Sequence, residues 1–354
     1  MKILFLVPYP LNESPSQRFR FEQYFHLLEQ AGHSYRVQTF LPPQRWRLLS
    51  QPGHAFTKLY LITLGFLNRT LAPGYAISSD RVFIHREVTP IGPPIFEWII
   101  ARLLRKKVIY DFDDAIWLTD RQHESAWFRW LKWRSKVALI SGWSYRVSCG
   151  NEYLASFARK FNQQVTVNPT TIDTSYHIPE RKVVQQVVIG WTGSRSTMGY
   201  LNDIKEPLEE LMMRHPQVVI RIVSDQAPDW SHARIDFVPW SLETEIPTLQ
   251  TFDIGIMPLR NDPWSLGKCG FKALQYMSLS IPAVVSPVGV NTEMVVDTIT
   301  GYHCRGGQEW INRLDELIRD QDKRTAMGLA GRRRVEDLYS VVSNTPRFLR
   351  LLEE

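Results

Sequence analysis

At 354 residues, with 44% apolar and 22% charged side chains, the chain exceeds one domain of ordinary size and suits two globular ones, which excludes disordered and fibrous structure. Its three cysteines, Cys149, Cys269 and Cys304, are odd in number and lack CxxC spacing, so a disulfide framework and a cysteine zinc site are excluded and a reducing, cytoplasmic compartment is expected. The net charge of +6 is uneven: residues 1–179 hold 22 Lys/Arg against 13 Asp/Glu, residues 180–354 hold 20 against 23, and the basic half therefore expects an acidic partner such as nucleic acid, anionic lipid or a diphosphate.

The opening MKILFLVPYP has the continuous apolar run of a strand buried on both faces, Ile3–Val7, and is too short for a secretory signal. A loop with Pro8, Pro10 and Pro15 leads to a helical pattern through Phe19, Phe21, Tyr24, Phe25 and Leu28, closed by Gly32. Ser16, Arg18 and Arg20 stand at the start of that helix, where arginine forks suit phosphate. Tyr35–Phe40, Arg81–His85, Lys107–Tyr110, Arg146–Ser148 and Gln164–Val167 read as further strands. Helices fall near 94–105, 126–140 and 151–161, the last capped by Asn151.

Residues 45–71 mix Arg, Lys, Trp, Phe and Leu. They fit either a basic amphipathic segment lying on a membrane surface or an apolar helix packed on the sheet. The apolar stretch Leu59–Leu67 is far shorter than the ~20 residues that span a bilayer.

The polar run HIPERKVVQQ, 177–186, reads as a linker, after which the pattern restarts. Strands are expected at Val187–Trp191, Val218–Val223, Ile235–Val238, Ile254–Met257 and Ala283–Ser286. Helices are expected at 197–214, 243–251, 269–279 and 309–339, with a short one at 345–352. Two βα arrays predict an α/β chain of two parallel-sheet, Rossmann-like domains facing across a cleft. The domains are 1–178 and 179–340, followed by a tail, 341–354, that crosses back to the first. Pro8 and Pro10 stand where a dinucleotide enzyme has GxGxxG, so no such cofactor is expected. Without a helix-turn-helix or zinc pattern, neither is a nucleic-acid partner.

Residues 253–295, DIGIMPLRNDPWSLGKCGFKALQYMSLSIPAVVSPVGVNTEMV, carry a specific ordered block. It resembles the donor-binding signature of the GT-B glycosyltransferases, in particular the large retaining family 4. A strand ending in Pro258, the loop Gly267–Gly270, the helix Phe271–Met277, the strand Ile281–Val285 and the turn Gly289–Glu293 follow that family's order. The resemblance implies a C-terminal half that binds a nucleotide-diphosphate sugar and an N-terminal half that binds a glycan or lipid-linked acceptor. Retention of configuration and independence of metal and cofactor are implied in the same way.

Physical reasoning gives these residues matching roles. A glycine loop entering a helix offers backbone N–H groups and the positive end of the helix dipole to a diphosphate. Gly267 and Gly270 allow close approach, and Lys268 and Lys272 add charge, although both lysines also fit a solvated helix start. Gln275 suits a ribose hydroxyl. Gly289, Asn291 and Glu293 suit sugar hydroxyls or phosphate. The loop Trp191-Thr192-Gly193-Ser194-Arg195 makes Gly193, Ser194 and Arg195 candidates for the phosphates. Ser224, Asp225, Pro239 and Trp240 end strands on the same side, Trp240 fitting a base-stacking wall or a structural tryptophan equally.

The sequence also departs from the family. Gly267 and Gln275 occupy the positions of two glutamates eight residues apart, which leaves open a non-catalytic, nucleotide-binding assembly subunit.

The acceptor half carries IHRE at 84–87 and YDFDDAIW at 110–117. Asp111, Asp113 and Asp114 crowd three carboxylates into four residues, which should raise at least one pKa. The resemblance places a His or acidic group here near the reacting sugar. Asp113 is the first candidate, with Glu87 second and Arg18 a contact for donor diphosphate or a phosphorylated acceptor. Synthesis of cell-surface polysaccharide or glycolipid, peripheral to the inner face of the membrane, is the expected setting.

Overall fold

The computed structural model describes residues 1–51, 53–119, 124–180 and 186–353. The chain divides into two compact units. The first comprises Met1–Thr170, Gly267–Cys269 and Thr345–Glu354; the second comprises Thr171–Leu266 and Gly270–Asn344. Of the expected linker 177–186, residues 181–185 lie outside the described residues.

The first unit is built on six strands: β1 (Lys2–Val7), β2 (Ser34–Thr39), β3 (Arg81–His85), β4 (Val108–Phe112), β5 (Arg146–Cys149) and β6 (Val165–Val167). They form one parallel sheet in the order β2-β1-β3-β4-β5-β6. Helices cover both faces, which is why Ile3–Val7 is apolar at every position and fully buried. The edge strand β2 alternates instead. The chain leaves β1 for β2 on one side and returns to β3 on the other, so a topological switch point lies between β1 and β3.

Three helices of the first unit differ from expectation. The pattern from Phe19 breaks into Pro15–Arg18, a 3-10 turn at Glu22–Tyr24 and Phe25–Gln30. Phe19, Phe21 and Phe25 are all buried, and the i, i+2 spacing of the first pair cannot share one helical face. The 126–140 helix is interrupted at Trp133, whose φ of 48° is left-handed, giving Ala126–Lys132 and Lys136–Trp143. The 94–105 helix loosens into a π turn at Ile99–Leu103.

Residues 45–71 form parts of two helices, Pro43–Ser50 and Ala55–Arg69. Leu61 and Gly65 face inward, and a Cβ on Gly65 would lie 2.3 Å from the Phe40 ring. Arg69 ends this helix fully buried. It donates to the carbonyls of Val7 (2.6 Å), Gln38 (2.7 Å) and Val88 (2.8 Å), tying together the ends of β1 and β2 and the loop after β3. Burial pulls its pKa down to about 9, partly countered by Glu97, and the guanidinium stays charged at neutral pH.

The second unit repeats the plan with β7 (Val187–Thr192), β8 (Val218–Ser224), β9 (Ile235–Pro239), β10 (Ile254–Met257), β11 (Ala283–Val285) and β12 (Gly301–His303). The order β12-β11-β10-β7-β8-β9 is all parallel, with the switch point between β7 and β10. Helix Gly307–Arg319 packs Trp310, Ile311, Leu314, Leu317 and Ile318 into this core. The expected 197–214 helix is a 3-10 turn, Arg195–Thr197, and two helices, Met198–Asn202 and Lys205–Arg214.

The last helix runs Val341–Glu353, longer than expected. Within the first unit its Phe348 stacks on Tyr24 at 4.3 Å and its Leu352 carbonyl accepts from Arg81.

Arg69→Met would strip three buried carbonyls of their donor, each left unsatisfied at a cost of about 1–3 kcal/mol. The variant is expected to unfold at a clearly lower urea concentration; an unchanged midpoint would refute the role given to Arg69.

Candidate functional site

The β3–β4 pairing sets His85 opposite Asp111, bringing the ends of IHRE and YDFDD together at the carboxyl edge of the first sheet. Asp111 is fully buried and accepts from Arg20 Nε and Nη2, from Ser148 Oγ at 2.6 Å and from His85 Nδ1 at 2.8 Å. Arg20 also donates to the Asn168 carbonyl. Burial alone would raise the Asp111 pKa, but Arg20 and His85 outweigh it and hold the carboxyl well below the usual range.

Arg86 follows in a left-handed conformation, φ 57°, inside a γ-turn closed by Glu87 N–H donating to the His85 carbonyl at 2.7 Å. Strain of this kind persists where surroundings enforce it. Here the Arg86 side chain bridges Asp113 Oδ1 at 2.7 Å and Asp114 Oδ2 at 2.5 Å. Lys268 Nζ meets Asp114 Oδ1 at 3.0 Å, and Cys269 Sγ donates to the Asp113 carbonyl at 3.1 Å. The upward shift expected from carboxylate crowding is therefore reversed at Asp111 and Asp114. At Asp114, burial is again outweighed by cations, Lys268 and Arg86.

Of the acceptor-side candidates, Asp113 joins His85 and Arg86, its Oδ1 lying 3.9 Å from His85 Nε2. Glu87 turns instead to Lys132 at 3.3 Å and Lys136 at 2.7 Å; burial would raise its pKa, but the two lysines hold it low. Arg18 lies over the Phe19 ring, 4.8 Å from its centroid. Gly267 and Lys268 group with this unit, where Asn151 Nδ2 donates to the Lys268 carbonyl at 2.9 Å. The sequence offers His85 and Arg86 only within the strand-end motif IHRE and gives neither a role. Their signal lay in aligning the ends of two neighbouring strands.

In the second unit, helix Phe271–Ser278 begins at Gly270, whose φ of 65° and whose missing Cβ, which would meet Met294 Sδ at 2.2 Å, both require glycine. Glycine provides no side-chain cap, so the first-turn N–H groups and the positive dipole end have no capping oxygen from this residue. Lys272, in that turn, lies 4.6 Å over the Trp191 ring and 3.4 Å from Thr197 Oγ1. Gln275 is 1% exposed with Nε2 unpaired among the described residues; Asn291 is fully buried with Oδ1 unpaired, 3.4 Å from where a Gly270 Cβ would stand.

At Gly289, φ 54°, an added Cβ would stand 3.1 Å from the Leu266 carbonyl oxygen. Glu293 is exposed, and its carbonyl accepts from Arg334.

The loop after β7 is already satisfied. Gly193 N–H bonds the Val223 carbonyl, Ser194 N–H bonds Thr197 Oγ1 at 3.2 Å and Arg195 N–H bonds Asp225 Oδ1 at 2.7 Å, leaving the Arg195 side chain exposed. Trp240 is half-buried, donating from its indole to Glu245 at 3.2 Å. Among the described residues, no group of three or more His, Cys, Asp or Glu side chains could hold a metal ion.

Residues 233–334, which include the Gly270 helix and the Gly289 turn, match the family model described as "Glycosyl transferases group 1". Among solved structures, sucrose-phosphate synthase from Thermosynechococcus elongatus is similar at 14% identity and a TM-score of 0.70, over 99% of this chain and 98% of that one. HepE from Anabaena, in complex with UDP, follows at 16% identity, 99% of both chains and a TM-score of 0.66. A glycosyltransferase from Rickettsia africae gives 14%, 99% and 97%, and 0.69. The fold is GT-B. No curated protein matches the chain in sequence. At these identities the structures carry the fold alone; with the group 1 segment, they support a GT-B glycosyltransferase.

The depressed carboxylates give a GT-B unit that weakens in acid. A folded-state pKa below the unfolded one, about 3.9 for Asp, adds stability that is complete above that value and is lost as pH falls through the folded pKa. Urea midpoints should therefore drop steeply between about pH 5 and pH 2. Asp114→Asn should flatten that dependence, and an unaltered slope would refute the ion-pair account of Asp114.

Proposed function

We propose that the chain transfers a glycosyl group from a nucleoside diphosphate sugar to an acceptor hydroxyl, with Gly270, Lys272, Gln275 and Asn291 holding the donor. The observation that carries the reading is the helix start at Gly270. Its dipole end, a first-turn lysine and two buried amide groups with unpaired atoms occur together, as a diphosphate bearing a polar sugar and ribose requires. Solved complexes of HepE hold UDP and UDP-glucose, which favours a uridine donor.

A departing diphosphate needs charge stabilisation more than protonation. Lys272 and the helix amides supply that charge, so transfer proceeds without metal or cofactor. Resemblance to family 4 favours retention, which NMR of the newly made glycosidic bond reads directly. The carboxyl edge of the first sheet, with Asp113, receives the acceptor.

A surface feature supports a lipid-linked or cell-surface acceptor. On helix Ala55–Arg69, Phe56, Leu59 and Tyr60, spaced i, i+3 and i+4 on one side, are 91%, 63% and 61% exposed, a face suited to the headgroup region of a membrane. Among the described residues, no helix is long and apolar enough to cross a membrane.

A thermal-shift panel of UDP, GDP and ADP, followed by turnover assays on the matching sugar donors, tests the proposal. UDP should stabilise the chain and UDP-glucose should be turned over. Lys272→Ala should weaken UDP about tenfold or more, the loss of one charge-assisted contact. Stabilisation without turnover would instead support a non-catalytic assembly subunit, and the absence of any nucleotide effect would sink the donor site. In sedimentation with anionic vesicles, the chain should pellet at low salt and Phe56→Glu should abolish it; a wild-type chain left in the supernatant would refute the membrane face.

A further inference from the structure

Helix Phe271–Ser278 meets the end of β7 through two side chains one turn apart. Lys272 and Tyr276, spaced i and i+4, share a side of this helix. Tyr276 Oη accepts from the Thr192 N–H at 3.1 Å and donates to the Ile256 carbonyl at 3.3 Å. Lys272 Nζ lies 4.6 Å over the Trp191 ring and donates to Thr197 Oγ1 at 3.4 Å. That hydroxyl gives its own hydrogen to the Ser194 carbonyl at 3.0 Å, so the lysine joins the helix start to the turn after β7. All these groups belong to the second unit.

Trp191 is fully buried, and its indole folds back over Gly193, where a Cβ would lie 2.4 Å from the ring. Its Nε1 is buried with no hydrogen-bond partner among the described residues. A buried donor without an acceptor is costly, and phenylalanine would pack the core without one. The indole therefore serves more than packing. Of the aromatic rings it attracts an ammonium most strongly. Its face also carries no net charge, so it holds Lys272 in place without neutralising it. The carboxylate of Asp114 does the opposite to Lys268, meeting it at 3.0 Å.

We propose that Trp191 is a positioning residue for donor binding, an inference that rests on the function proposed above. Its ring fixes the Lys272 ammonium beside the first-turn amides of helix Phe271–Ser278, so that a charge and a set of N–H donors grip one diphosphate together. A lysine on a flexible stem would otherwise lose rotamer freedom on binding the nucleotide; here much of that ordering is done before the ligand arrives. Trp191 touches neither nucleotide nor sugar and acts only through Lys272. Thr197 gives the ammonium its second anchor, on the turn after β7.

Two measurements on the full chain test this role. In protein labelled with 13C-lysine, the Lys272 ε-methylene resonance, identified by its absence in Lys272→Arg, should be displaced upfield by the indole ring current. Adding UDP should move it again, and Trp191→Leu should remove the displacement. By titration calorimetry, Trp191→Leu should weaken UDP about tenfold, and Trp191→Phe, which keeps an aromatic face, should restore most of the loss. The double variant Trp191→Leu, Lys272→Ala should bind UDP no more weakly than Lys272→Ala alone, whereas a general loosening of the core would add to the lysine's loss. An undisplaced Lys272 resonance, or additive losses, would overturn the role while leaving UDP binding itself intact. Should leucine leave the core unfolded, the wild-type resonance still decides, since it must be ring-shifted in the free chain and respond to UDP. A wild-type chain that binds no nucleoside diphosphate would defeat the donor site and this role with it.

Discussion

The first unit depends on the buried ion pair of Arg20 and Asp111. Burying two charges is costly unless each is fully bonded, and this pair recruits Ser148, His85 and the Asn168 carbonyl to meet that requirement. Those partners come from β3, β5 and the loop after β6, so satisfying one carboxylate draws together the ends of several parallel strands. The same requirement explains why the chain between Pro15 and Gln30 is not one helix. Arg20 and Phe21 are pulled inward, and regular helix resumes at Phe25.

The two units solve the same topological problem with different chemistry. At the β1–β3 switch the first unit places opposed charges, each carboxylate answered by a cation. At the β7–β10 switch the second unit places glycines, one lysine and amides, a set that is positive or neutral. Both positions follow the general rule for open α/β sheets, in which the strand order itself opens a crevice at the carboxyl edge.

Much of this architecture was legible in the chain. Strands buried on both faces announce themselves as unbroken apolar runs, and the block 253–295 carried the order of glycine turn, helix and strand. What the sequence hid were relations between distant residues. Arg20 reads as a phosphate contact until Asp111, 91 positions away, is seen beside it. Crowded aspartates suggest repulsion until Arg86 and Lys268 are placed among them. Adjacent residues can also part company: Gly267 and Lys268 read as one loop with Gly270 and Lys272, yet Gly267–Cys269 groups with the first unit. Local backbone exceptions such as Trp133 were invisible because no glycine or proline marks them.

The carboxylate of Asp225 on the Arg195 amide has a consequence for selectivity. A tethered group of this kind competes at an effective concentration in the millimolar range. Small free anions at lower levels lose that contest. A ligand that dislodges the aspartate must bring further anchoring of its own, so the loop keeps its shape while idle and ignores stray phosphate.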